Sequence, residues 1–300
     1  MRSKNAKSAM ARFRFVLRRL DFVALVMMGF WTLGASSILV QSSHASDVVE
    51  LYAGIPPIAF LAERLGGSLV RVRTIAGASK DPHTFEPTPR QVLALGKARA
   101  FFIVGLPFER ALAKRLQQRY SNLKVVDLAQ DIQEGQDPHV WLSPQRLKVI
   151  AKAIASALVQ MLPSKEQEVH KRLSLFLTEA ESLEGEVKSM LAPYKGRAFL
   201  VHHPAFGHFA ANFGLRQLFI EEEGKEPTPR RLQAVVVQAK KEHVRILIVQ
   251  PQFDFREARL VAQALDAKLA VVNDLDFDVF ATIRKLGRVL SGALGDSRGA

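Results

Sequence analysis

Three histidines and one aspartate in this sequence share a setting that suits metal ligation. His83 lies in Asp81-Pro82-His83-Thr84-Phe85-Glu86-Pro87, and His139 in Asp137-Pro138-His139-Val140-Trp141-Leu142-Ser143-Pro144. His203 follows directly on a predicted strand, 198–202, and Asp274 comes just after another, 268–272. All four fall past the C-terminal ends of predicted strands, two in each half of the chain. Ligands of open α/β sheets bind outside those strand ends. Neutral imidazole is a borderline-soft nitrogen donor that suits zinc, copper, iron or nickel. A carboxylate offsets part of the ion's charge, and four such donors can make a tetrahedral site with bonds of about 2.0–2.2 Å. Pro82 and Pro138 hold the aspartate before them in extended geometry, which helps preset the loops that aim the rings.

The remaining histidines read differently. His202 is expected to point to the opposite side of its strand and to pack in the core. His208 is read as a packing residue rather than a partner of the ligands. His170 and His243 fall on surface helices, and His44 lies in the N-terminal segment. Asp276 and Asp278 stand close to Asp274, so the choice among these carboxylates stays open. Three histidines with an open position would also serve a zinc hydrolase. However, the sequence holds no His-Glu-x-x-His and no Gly-x-Ser-x-Gly, and no general base stands at a fixed spacing. Glu86 and the acidic run 221–223 are read as solvated loop charges. The expectation is a binding protein, not an enzyme.

Composition narrows the chemistry further. Cysteine is absent from the 300 residues. This removes disulfides, thiolate metal sites and cysteine nucleophiles, and leaves His, Asp and Glu to build any site. Hydrophobic residues make up 48%, enough for a sizeable core. Residues 1–45 read as a signal peptide: seven Lys/Arg, then an apolar run over 22–40, then Ser43-His44-Ala45 before a cleavage point. With no cysteine after the apolar run, the expected product is a free periplasmic protein without a lipid anchor. The formal charge of +13 reflects 42 basic and 29 acidic residues. Setting aside seven basic residues and one acid in 1–45 leaves 35 and 28, a net +7. No basic cluster interleaves with aromatics, so nucleic acid is not an expected partner.

The elements that must position these residues alternate. Strands are predicted at 48–53, 69–75, 100–104 and 123–127, and again at 198–202, 217–221, 245–249 and 268–272. Helical patterns at 58–65, 89–97, 109–120, 230–241 and 256–265 lie between them. Such alternation argues for parallel sheets. Ser143-Pro144 is a helix-start signal for a helix running to about residue 162. Ser164 with Gln167 resembles a capping box for a second, long helix ending near 191. The fold class expected is α/β: two parallel-sheet lobes joined by a long rigid helix. The division is 1–45 signal peptide, 46–163 N-terminal lobe, 164–192 connecting helix and 193–300 C-terminal lobe. Glu86-Pro87-Thr88-Pro89-Arg90 recurs as Glu226-Pro227-Thr228-Pro229-Arg230, an echo that suggests lobes of related plan.

The two Asp-Pro-His segments, Gly105-Leu106-Pro107-Phe108-Glu109 and His203-Pro204-Ala205-Phe206-Gly207-His208-Phe209 resemble motifs of the periplasmic zinc/manganese-binding proteins of ABC importers. The resemblance runs through nearly all of the chain after residue 45. It implies two α/β lobes around one long helix, and ligands at His83, His139, His203 and Asp274. It also implies cargo delivery to an ABC importer permease in the inner membrane, by a monomer. A histidine at the third ligand position resembles the zinc-type pattern; manganese and iron remain compatible. Pro204 stands where many members have Asp, His208 where Tyr is common, and residues 129–136 lack the His-rich loop of many zinc-type members. A metal-binding surface adhesin on the same scaffold is the other reading. Metal affinity is expected to fall in acid, because ligating histidines must be neutral, and lobe movement to be modest.

Overall fold

A computed structural model describes residues 48–132, 136–221 and 227–295, all within one compact unit. The first sheet contains β1 (Val49–Ala53), β2 (Val70–Thr74), β3 (Ala100–Ile103) and β4 (Lys124–Asp127), in the order β2-β1-β3-β4. The second contains β5 (Ala198–Val201), β6 (Arg216–Phe219), β7 (Ile246–Val249) and β8 (Lys268–Val271), in the order β6-β5-β7-β8. Every pairing is parallel. The central strands β3, β5 and β7 are buried along their whole length, as strands covered on both faces must be. Edge strand β2 instead alternates, with Arg71 and Arg73 more exposed than Val70.

Helices cover both sheets. In the first half they are α1 (Pro56–Gly66), α2 (Pro89–Leu95) and α3 (Pro107–Arg119), followed by α4 (Pro144–Met161). Each begins with proline at its first position, where a missing N–H costs nothing. Ser143 caps α4 by accepting the N–H of Arg146. Then comes α5 (Glu166–Leu191), about 39 Å long at 1.5 Å per residue. The expected Ser164 cap does not form. A 3-10 turn over Pro163–Lys165 takes that place, and Lys165 begins α5 without a side-chain bond.

In the second half lie α6 (Gly207–Phe213), α7 (Pro229–Lys241), α8 (Arg256–Leu265) and α9 (Val279–Gly295). The sequence reading omits α6 and α9. Yet α9 buries Phe280, Ile283, Leu286, Leu290 and Leu294 at helical spacing and packs along α5. Gly287 makes that approach close: a Cβ there would stand 3.1 Å from Val187 of α5. Arg284 bonds Glu186 beside it at 2.7 Å.

The repeated Pro-Thr-Pro-Arg segments open α2 and α7, each between the second and third strand of its sheet. Thr88 and Gln91 form a reciprocal capping box, whereas Thr228 only accepts from Arg231. Glu226, like residues 1–45, lies outside the described residues. One hydrophobic cluster runs through both halves, from Phe101, Phe102 and Trp141 to Phe199, Phe206 and Ile248. A smaller one lies beneath α7 and α8.

Candidate metal centre

The loops leaving the C-terminal strand ends of both sheets meet. His83 comes from the loop after β2, His139 from the loop after β4, and His203 from the end of β5. One ligand atom from each ring lies within 4.8 Å of the other two. His139 Nε2 is 3.2 Å from His83 Nε2 and 3.1 Å from His203 Nε2. His139 and His203 are buried, and His83 is half-buried. Asp274, in the loop after β8, is also buried. It lines a cavity of about 10 Å³ with Asp81, His83, His203, Gln252 and Phe253. Its carboxylate stands outside the tight three-histidine group. Asp276 bonds Asn273 and Asp278 caps α9, both at the surface, so of the three acids Asp274 alone lines the cavity.

Local chemistry aims each ring. Asp81 Oδ1 accepts the His83 backbone N–H at 2.9 Å, and Asp137 Oδ1 accepts that of His139 at the same distance. These are Asx turns closed across a proline. Asp137 Oδ1 also takes the His139 Nδ1 proton at 2.6 Å. Glu221 Oε2 does the same for His203 Nδ1 at 3.0 Å. Gln250 brackets His203, accepting its N–H and donating to its carbonyl. Trp141, fully buried, donates Nε1–H to the Asp274 carbonyl at 2.8 Å.

With both Nδ1 atoms committed as donors, the Nε2 atoms of His139 and His203 face each other as lone pairs whenever both rings are neutral. No hydrogen bond can form between two acceptors, so the contact favours a cation placed among them. Protonation is not uniform across the cluster. Burial, reinforced by the neighbouring His139 and His203, pulls the His83 pKa down to about 3, so that ring is a neutral donor. Burial depresses His203, but the hydrogen bond and charge of Glu221 outweigh it and leave its pKa raised, so a proton competes with a cation for that ring. Burial pushes Asp274 up.

Two residues differ from their sequence reading. Glu221 is not a solvated loop charge; it is buried against His203. His208 is not merely packed: its Nε2 donates to the Asp137 carbonyl at 2.9 Å. Nothing in the local pattern marks either, because the partner is 18 residues away for Glu221 and 71 for His208. His202 is half-buried rather than in the core, its ring tilted against the same Phe253 that His203 touches. His170 is exposed on α5 as expected, whereas His243 is exposed in a turn just past α7, at φ 53°.

Two parallel-sheet lobes with an imidazole-lined cavity at their strand ends define a two-lobed protein able to hold a metal ion. Residues 51–280 match the family described as ZnuA, zinc-uptake complex component A, periplasmic, and the chain belongs to that family. Among curated relatives, a putative metal-binding protein of Chlamydia muridarum is 25% identical over 256 residues, covering 80% of this chain and 91% of its own. The metal ABC transporter substrate-binding lipoprotein SsaB of Streptococcus sanguinis is 24% identical, covering 82% and 86%. A crystal structure of ZnuA superposes with a TM-score of 0.78 at 32% identity, covering 82% of this chain and 99% of that one.

The relatives correct the expected location. SsaB, AdcA of Streptococcus pneumoniae and PsaA of Streptococcus anginosus are all named lipoproteins. These names contradict the expectation of a free periplasmic protein without a lipid anchor. The ion site and the two lobes place no constraint on tethering, so nothing in the ligand pattern could have decided it.

Proposed function

We propose that this chain captures one divalent transition-metal ion, zinc by preference, through His83, His139, His203 and Asp274, and delivers it to an ABC importer permease in the inner membrane. The observation that carries this reading is the pair of carboxylate-locked imidazoles whose Nε2 atoms converge at 3.1 Å, with His83 Nε2 3.2 Å from His139 Nε2. Three nitrogens with one carboxylate suit tetrahedral zinc, whereas manganese favours oxygen-rich sites. Asp274 lines the same cavity and supplies the fourth donor.

The protein acts as a monomer and without catalysis. Asp137 and Glu221, the carboxylates nearest the rings, are already engaged by Nδ1 protons, and a closed four-ligand site leaves no activated water. Residues 1–45 are removed as a signal peptide. Lobes 46–163 and 193–300 flank a connecting helix over 164–192, a division supported by the two sheets and α5 between them.

Metal analysis of the protein from its native compartment, with competitive titration of zinc against manganese, tests the reading. One tightly held ion per chain with zinc preferred is expected. Full stoichiometry and affinity in His83→Ala, His139→Ala and Asp274→Ala would overturn it.

A further inference from the structure

His139 is not held in the three-histidine group by its own loop alone. Its Nδ1 and its backbone N–H both rest on Asp137 Oδ1, so the position of Asp137 sets the aim of the ring. Asp137 is in turn gripped from the other half of the chain. His208, on α6, donates Nε2–H to the Asp137 carbonyl at 2.9 Å, and the same nitrogen stands 4.0 Å from Asp137 Oδ2. A carbonyl only accepts, so His208 must carry its proton on Nε2. The residue before it, Gly207, leaves the space that the carboxylate fills: a Cβ there would lie 2.5 Å from Asp137 Oδ2.

This grip arises from the segment that begins with His203. Residues 203–208 thus carry one imidazole into the three-histidine group and hold the loop that carries another, from the opposite sheet. From this geometry we infer that His208 is a positioning residue: it clasps Asp137 across the lobes, fixes His139, and so slows escape of the bound ion. The inference rests on the functional reading above and adds a residue outside its ligand set. Groups that orient a metal-binding histidine change affinity by roughly 10–100-fold when removed. Because His208 ties one lobe to the other, its loss should appear mainly as faster dissociation.

The test compares the full protein with His208→Phe, His208→Gln and Gly207→Ala. Zinc affinity is read by chelator competition, zinc release by stopped-flow mixing with excess chelator, and site geometry by the visible spectrum of the cobalt-substituted protein. His208→Phe keeps a ring but loses the donor. It should weaken zinc binding by about 10–100-fold, chiefly through release, and alter the cobalt spectrum. His208→Gln, whose amide can donate to the same carbonyl, should restore most of the affinity. Gly207→Ala pushes the Asp137 carboxylate aside with His208 intact, and should weaken binding even if His208→Phe fails to fold. Wild-type affinity, release rate and spectrum in Gly207→Ala and in a folded His208→Phe would overturn the inference while leaving the functional reading in place. A wild-type protein that binds no zinc would overturn that reading and this inference with it.

Discussion

In the first lobe, His83 and His139 ride on loops whose Asp-Pro-His triplets bond back onto themselves, each aspartate taking the N–H two residues on. In the second lobe, His203 leaves the end of a buried strand. It is aimed by Glu221 from beyond β6 and by Gln250 from beyond β7. The sheets share one strand order, yet the first lobe aims its ligands mainly by local bonds, with the His208 clasp added at Asp137, and the other by sheet register. Locally closed loops keep some of their shape when the lobes part, whereas a ligand set by register depends on the whole lobe being folded.

Substitutions can break or sharpen that contrast. The largest effect is expected for His139→Ala, whose Nε2 meets the Nε2 of both other rings, at 3.2 and 3.1 Å. Zinc affinity by competitive titration should fall beyond the roughly 100-fold that supporting groups cost, and a smaller loss would demote His139 from the centre. Next come the residues that aim the rings. Glu221→Gln should cost roughly 10–100-fold, because the proton acceptor at His203 Nδ1 is weakened in a buried site. Asp81→Asn should cost less, since its amide oxygen still accepts the His83 N–H. Equal losses would erase the distinction between the lobes.

Stability carries a third contrast. Glu109 is fully buried at the start of α3, accepting N–H groups of Val104 and Leu106. Burial, opposed by those backbone hydrogen bonds, pushes its pKa from 4.5 to about 8. Below the unfolded value both states hold the proton. Between the two values only the folded state does, so this group's share of stability falls as pH rises and is lost above about 8. Glu109→Gln should flatten that decline, a difference on the order of a few kcal/mol across the window. Urea midpoints measured from pH 5 to 9 check it; parallel curves for the two proteins would contradict it. The smallest effect separates the two repeated helix starts. Each Thr→Ala change should cost about 0.5–2 kcal/mol, with Thr88→Ala above Thr228→Ala because only Thr88 has a reciprocal partner. Thermal melts that rank them the other way would refute this.

Legibility in the sequence follows the same line. The eight strands, the helix starts at Pro89, Pro144 and Pro229, and the long helix ending near residue 191 all rest on local pattern, and the fold is readable from them. His83 and His139 were readable because Asp-Pro-His is a local device. Glu221, Gln250 and His208 were not, since their roles come from contacts with residues distant in sequence. Helix α9 carries its period in Phe280, Ile283, Leu286 and Leu290 but is fixed by packing on α5, close enough at Gly287 that a Cβ would stand 3.1 Å from Val187.

The most direct measurement is zinc-edge X-ray absorption on the zinc-loaded protein, with His203→Ala as the control. Three imidazole nitrogens and one carboxylate oxygen at about 2.0–2.2 Å are expected, with one imidazole lost in the control. An ion held by two or fewer imidazoles in the wild type, or an unchanged spectrum in His203→Ala, would contradict a centre shared between the lobes.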